Sequence, residues 1–296
     1  MEKKTLIVIG GPTASGKTGL AIAVAQHFGT EIISGDSRQF YREMTIGNAR
    51  PTDQELALVR HHFIADRSLL DPLSAGRFAE EALQRLHTIF ESHPYAVLVG
   101  GSGLYLRALC EGLDEFPEVT EGARSQVQSL LNEQGLPGLQ AELSRLDPAY
   151  YAVVDRANPR RLERALQVCY ASGQPYSSFL GQTTARPFRC LYLRAHPPRE
   201  ALYARIDARV DAMLAAGLEA EVQSLAPHQD LPVLQTVGYQ EWWPYLRGEY
   251  DRATAIDLVK RNSRRYAKRQ VTWFSKDDQY RTVAGVADVL AELKRL

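Results

Sequence analysis

Four short stretches of strand length, residues 6–9, 31–34, 96–99 and 190–193, stand out from the polar background and are rich in Val, Ile and Leu. The stretches that follow the first and precede the third repeat their apolar residues at helical spacing. Leu20, Ala21, Val24 and Phe28 fall on one face, and Phe78, Ala82, Leu86 and Ile89 on another, over a helix from about 75 to 92. Alternation of this kind predicts an α/β fold, a parallel sheet with helices on both faces. His61-His62-Phe63 reads as a polar connection. Ligands of such sheets bind beyond the carboxyl ends of the strands, so residues 13–18, 36–39 and 100–105 should converge on one cleft.

The pattern changes between 111 and 147. Glu111, Asp114, Glu115, Glu118 and Glu121 make an acidic entry, Gly135-Leu136-Pro137-Gly138 interrupts a helical run, and no strand is apparent. The chain returns through Asn158-Pro159-Arg160-Arg161-Leu162-Glu163-Arg164, a basic helix start. The reading is a core of 1–112 and 188–296, interrupted by a mainly helical insert at 113–187. Beyond the fourth strand, a helix from about Arg199 carries Arg205 and Arg209 on one face.

Composition adds bounds. The 296 residues are 45% hydrophobic and 24% charged, as in an ordinary globular protein. No run approaches the roughly 20 apolar residues of a membrane span, and Met1-Glu2-Lys3-Lys4 leads straight into a strand, so no membrane association and a cytoplasmic location are expected. Cys110, Cys169 and Cys190 are too scattered for a disulfide framework or a zinc site. A monomer is expected. Net charge is zero, yet residues 260–274 hold Lys260, Arg261, Arg264, Arg265, Lys268 and Arg269 with no acid among them. Lys260, Arg264 and Lys268 form one stripe and Arg261, Arg265 and Arg269 the next. Stripes pointing outward, with Tyr266, Trp273 and Phe274 anchoring the helix, favour phosphate-backbone binding over a merely solvated face.

The chemistry begins at Gly11-Pro12-Thr13-Ala14-Ser15-Gly16-Lys17-Thr18, directly after the first strand. This is the phosphate-loop pattern in its required setting, a strand before and an amphipathic helix after. Its amides converge on an anion at the positive end of a helix, Lys17 adds a point charge, and the Thr18 hydroxyl suits Mg²⁺. The third strand ends in Gly100-Gly101 rather than the Asp that usually helps hold the metal in phosphate-loop ATPases, which weakens a hydrolase reading. Asp36, after the second strand, is either a turn residue or an acid set beside the phosphate site for proton transfer.

In order along the chain, Gly-Pro-Thr-Ala-Ser-Gly-Lys-Thr at 11–18, Asp-Ser-Arg-Gln at 36–39, Gly-Gly-Ser-Gly-Leu-Tyr at 100–105, Asn-Pro-Arg-Arg at 158–161, Val-Gly-Tyr at 237–239 and Arg-Tyr-Ala-Lys-Arg-Gln-Val-Thr-Trp-Phe at 265–274 resemble the motifs of the tRNA dimethylallyltransferase family. The resemblance is to the bacterial type, because the zinc finger of eukaryotic relatives has no counterpart. It implies transfer of a dimethylallyl group from its diphosphate to N6 of adenosine 37 in tRNAs that read codons beginning with U. It implies partners in dimethylallyl diphosphate and the anticodon stem-loop, Mg²⁺ on Thr18, Asp36 as proton acceptor, and Lys17, Thr18 and an arginine, Arg209 rather than Arg205, on the diphosphate. Implied RNA contacts are Asp36, Ser37, Arg38, Gln39, Ser102, Arg124, Arg160, Arg161, Arg164, Gln235, Gly238, Tyr239, Gln240, Arg264 and Lys268. Ser102 stands where Thr is more frequent in the family, Gln240 where Lys or Arg is, and Asn262-Ser263 where Ala-Thr is. Two other classes are consistent with the residues alone: a phosphate-loop kinase of small molecules, and an RNA-binding module with a vestigial loop.

Overall fold

The computed structural model describes residues 4–182 and 184–295; the reading of Met1-Glu2-Lys3 as the lead into a strand lies outside them. Six strands, β1 (Thr5–Gly10), β2 (Ile32–Ser34), β3 (His61–His62), β4 (Tyr95–Gly100), β5 (Arg189–Arg194) and β6 (Arg281–Thr282), form one sheet in the order β3-β2-β4-β1-β5-β6. Every pairing is parallel. The hydrophobic pattern does not predict the edge strands β3 and β6. Each has two residues, too few to show a period, and His61-His62 looks polar because an edge strand need not be buried.

Alternation along β1 explains the two layers. Leu6 and Val8 point into one core with Ile33, Leu98 and Phe78, whereas Ile7 and Ile9 point into the other with Ile32, Val97 and Leu193. Both sets are at or near zero exposure. Gly10 is in register with Gly100 on one side and Arg194 on the other, so the loops leaving these strands start level.

Helices α1 (Lys17–Phe28), α2 (Asp53–Leu58), α3 (Ala75–Ser92) and α4 (Gly103–Glu111) belong to the first part of the sheet unit. The buried face of α3 is the expected one, with Phe78, Ala82, Leu86 and Ile89 inside. In α1 the buried residues are Ala21, Ile22, Val24 and Ala25, while Leu20 and Phe28 are only partly covered. Its contact face is thus rotated from the expected one, toward side chains small enough for close approach.

The chain divides into two compact units, Met1–Glu111 with Arg186–Leu296, and Gly112–Ala185. The smaller unit has its own core of Val127, Leu139, Leu143, Leu162 and Leu166. It is built from α5 (Glu121–Leu146), α6 (Pro148–Val153) and α7 (Pro159–Ser172). α5 bends at Gly135, whose φ of 63° and ψ of −158° break the helix just ahead of Pro137. Asp147 is buried at the start of α6 and accepts from the backbone N–H of Tyr150 and from both the N–H and hydroxyl of Ser177.

The sheet unit resumes with α8 (Arg199–Ala215), α9 (Leu218–Leu225), α10 (Trp242–Leu246), α11 (Arg252–Ser275) and α12 (Val286–Leu293). Among the described residues, no helix is long and apolar enough to cross a membrane.

Candidate active site

The loop between β1 and α1 is shaped by its glycines at two points. Gly11 has φ of 151°, and a Cβ there would lie 2.8 Å from the Ala195 carbonyl oxygen; Gly16, at φ of 88°, is the N-cap of α1. No side chain caps that helix start, so its first-turn amides face the cleft beside the loop. The cleft measures about 450 Å³ and is lined by residues 13–19, Asp36, Gln39 and Arg209 among others. Lys17 Nζ donates to the Pro12 carbonyl oxygen at 3.1 Å. Burial pushes its ammonium down to about 8; the Asp36 carboxylate opposes this shift and the Arg209 charge adds to it. Arg209 reaches the loop through Nη1 to Thr13 Oγ1 at 3.4 Å and lines the cleft, one turn of α8 beyond Arg205.

Asp36 stands where this cleft meets a narrower cavity of about 70 Å³. The two cavities share Asp36, Thr13 and Arg209, and the second continues past Arg38, Gly238, Ser263, Tyr266 and Gln270. Asp36 is a turn residue as well: Oδ1 accepts the Arg38 N–H at 3.3 Å and its carbonyl the Gln39 N–H at 3.1 Å. Those bonds fix the carboxylate at the junction, so the turn role and the site role are compatible. The loop after β2 is tied here to the loop after β4 and to the 44–49 segment. Ser102 Oγ accepts the Ser37 N–H at 3.1 Å, and Gln39 donates to the Ala49 carbonyl oxygen at 3.1 Å.

Two side chains with no assigned role in the motif reading hold the site in shape. Gln270, buried on α11, accepts the Thr13 N–H at 2.9 Å and donates to the Gly101 carbonyl oxygen at 2.9 Å, which clamps the phosphate loop to the loop after β4. Glu221 on α9 accepts from the N–H groups of Thr45, Ile46 and Gly47, the Thr45 hydroxyl and, at 2.7 Å, the Tyr239 hydroxyl. These bonds hold its carboxyl below the usual range despite burial. Gln270 was visible as a motif position without a function, whereas Glu221 has no local signal at all.

The expected RNA contacts separate into groups. Arg38 donates to Thr236 Oγ1 and, at 2.7 Å, to the Tyr266 hydroxyl, and its guanidinium lies 4.8 Å from that ring's centre. It lines the inner cavity with Gly238. Gln240 donates to buried Glu241, and exposed Gln235 donates to the Gln229 carbonyl oxygen. Tyr239 requires correction: it is fully buried with its ring against Gly47 and its hydroxyl on Glu221, so it supports the 44–49 loop and offers no surface to RNA. The outward stripe also needs correction. Lys260 pairs with Asp211 at 2.6 Å and Arg264 with Asp207 at 2.5 Å, because α8 packs alongside α11. Lys268 and the second stripe, Arg261, Arg265 and Arg269, are exposed. Phe274 anchors the helix against Gly10, whereas Trp273 packs only its indole edge, against Gly103, and stays 40% exposed. In the smaller unit, Arg124, Arg160, Arg161 and Arg164 are all exposed, and the Arg164 guanidinium lies over the Phe116 ring.

A phosphate loop whose cleft runs past the Asp36 carboxylate into a second, narrower cavity fits a transferase-type site, with a phosphate-bearing donor on one side and an acceptor on the other. Comparison with known proteins narrows the class. The model of the family described as IPP transferase matches residues 39–277. The tRNA dimethylallyltransferase of Christiangramia forsetii is 49% identical over 93% of this chain and 91% of its own length, and that of Flavobacterium johnsoniae is 43% identical over 93% and 91%. Among solved structures, the full-length tRNA isopentenylpyrophosphate transferase of Bacillus halodurans matches with a TM-score of 0.69 and 35% identity, covering 95% of this chain and 90% of that one. A eukaryotic dimethylallyltransferase described as acting on tRNA gives a TM-score of 0.76 at 27% identity, over 92% and 70%. This chain belongs to the IPP transferase family, that of the tRNA dimethylallyltransferases.

Proposed function

We propose that this enzyme transfers a dimethylallyl group from dimethylallyl diphosphate to N6 of adenosine 37 in tRNAs reading codons that begin with U. The observation that carries the reading is the placement of Asp36 in the lining of both cavities. The phosphate loop binds the diphosphate through the α1 amides, Lys17 and Arg209. As the allylic C–O bond ionises, negative charge builds on the leaving diphosphate, and these donors are preorganised around it. Adenine N6 is a weak nucleophile because its lone pair is delocalised. Asp36 accepts an N6 proton as the new C–N bond forms, and the adenine reaches it by leaving the stack of a single-stranded loop. Arg38, Tyr266 and Gly238 wall the acceptor side.

Mg²⁺ fits the donor side. Among the described residues no group of three or more His, Cys, Asp or Glu could hold a metal alone. Mg²⁺ bound through phosphates needs only one or two protein oxygens, and Thr18 and Asp36 line the same cleft. When bound through Thr18 it would neutralise diphosphate charge. The unit acts as a monomer in the cytoplasm. An ATP-dependent kinase is not favoured, since the family's members carry the prenyl-transfer name. Mass spectrometry of nucleosides from a tRNA incubated with the protein, Mg²⁺ and dimethylallyl diphosphate tests the reading. One prenylated adenosine next to the anticodon is expected; unmodified tRNA would refute it.

A further inference from the structure

A third pocket, of about 200 Å³, includes Gly103 at the start of α4 and Tyr192 of β5 in its lining. Its wall is Trp273, one turn along α11 from Gln270, the residue that clamps the phosphate loop. The indole edge abuts Gly103 so closely that a Cβ there would lie 1.9 Å from Nε1, while 40% of the residue remains exposed. Leu104 beside Gly103 is likewise 46% exposed.

Charge on the rim is mixed, two carboxylates and two cations, and the carboxylates already accept hydrogen bonds from neutral donors. Glu111 accepts from the Tyr192 hydroxyl at 3.2 Å, and Asp277 Oδ1 accepts the Gln279 N–H at 3.0 Å. Arg107 and Lys276 form no side-chain hydrogen bond or ion pair among the described residues, and exposed Arg269 lies on the same helix one turn back. An exposed aromatic face, a glycine that fixes its edge and two uncommitted cations match one ligand chemistry, a flat base with a phosphate attached.

We infer that this pocket holds an unpaired nucleotide of the RNA substrate, its base stacked on Trp273 and its phosphate between Arg107 and Lys276. The inference rests on the proposed RNA activity. It gives α11 two stations: Tyr266 and Gln270 at the reacting adenosine, and Trp273 at a neighbouring base that fixes the loop's register. Trp273 is a positioning residue and touches no reacting atom.

Fluorescence tests this directly, because Trp242 and Trp243 are buried and Trp273 is the accessible member of the chain's three tryptophans. Titrating the full-length protein with a substrate anticodon stem-loop should quench tryptophan emission, and Trp273→Phe should abolish the quenching while leaving RNA affinity near normal. Trp273→Leu should raise the KM for RNA about tenfold, the scale of one lost base stack, with kcat and the KM for the donor unchanged. Stem-loops lacking one unpaired base at a time identify the occupant: its removal weakens binding to wild type but not to Trp273→Leu. Absence of quenching, or a wild-type KM for RNA in Trp273→Leu, overturns the proposal. If Trp273→Leu misfolds, the quenching series on wild type still decides. Failure of wild type to bind or alkylate RNA at all would instead refute the activity itself.

Discussion

The phosphate loop and helix α11 are both basic, glycine-flanked or aromatic-flanked motifs, yet they use charge in opposite ways. In the loop, charge is gathered inward: Lys17 is half-buried, its ammonium pushed down to about 8, and it faces Asp36 and Arg209 across one cleft. On α11 charge is divided. Lys260 and Arg264 are neutralised by Asp211 and Asp207 of α8, whereas Arg261, Arg265, Lys268 and Arg269 of the two stripes face outward. A backbone-built anion site is fixed by eight consecutive residues, whereas the use of a helix stripe depends on what packs beside it from elsewhere in the chain. Under the proposed function, the loop serves chemistry on a small donor and the exposed part of α11 serves affinity for a polyanion.

The most disruptive way to probe this division is at the junction. Asp36→Asn should lower turnover by roughly 10²- to 10⁴-fold, the range typical of a lost general base, with RNA affinity little changed. Near-normal turnover would remove Asp36 from proton transfer and leave it as a turn residue.

The second probe is pH. Under the proposed function Lys17 binds the diphosphate as the ammonium, whose pKa burial holds down to about 8 in the free protein. Donor binding raises that pKa, so binding takes up a proton. Donor affinity should be flat below pH 8 and fall as pH rises through it, approaching about tenfold per unit until the pKa of the bound form is reached. Isothermal titration of donor binding in two buffers of different ionisation enthalpy, just above pH 8, should show the uptake; Lys17→Ala should bind weakly without it. A profile that is level through this range would mean that Lys17 does not pair with the diphosphate.

The smallest effect separates the two stripes. Each phosphate neutralised contributes about 0.9 to the slope of log affinity against log salt on a duplex, and ~0.7 on a single strand. Replacing Arg265 and Arg269 together by Ala should make the slope for tRNA shallower by roughly one to two units. Arg264→Ala should change it by less than one, because that guanidinium already holds Asp207. Equal effects from the two stripes would show that the ion pairs with α8 open when RNA binds.

These contrasts also mark what could be read along the chain before any coordinates. The sheet's four longer strands, the buried face of α3, the phosphate loop and the position of Asp36 after β2 were legible because each is set by local periodicity or by a contiguous backbone motif. The edge strands β3 and β6 were too short to show a period. Tyr239 was misplaced because a motif shows that a residue is fixed without showing whether it faces solvent or core. Glu221 was invisible: four of its five bonds join α9 to a loop more than 170 residues away in sequence, and no local pattern marks it. Aromatic character alone does not show that Trp273 packs by one indole edge on Gly103 and leaves the rest exposed, while Phe274 is buried against Gly10.

The central claim is that this phosphate loop serves the loss of diphosphate from an allylic donor. It is tested most directly by following both products in one reaction, with tRNA, Mg²⁺ and dimethylallyl diphosphate in one vessel and ATP in place of the donor in another. The account predicts diphosphate release equal to prenylated tRNA, mole for mole, and no phosphate transfer from ATP. Mg²⁺-dependent consumption of ATP with a phosphorylated product, and no prenylated tRNA, would contradict it.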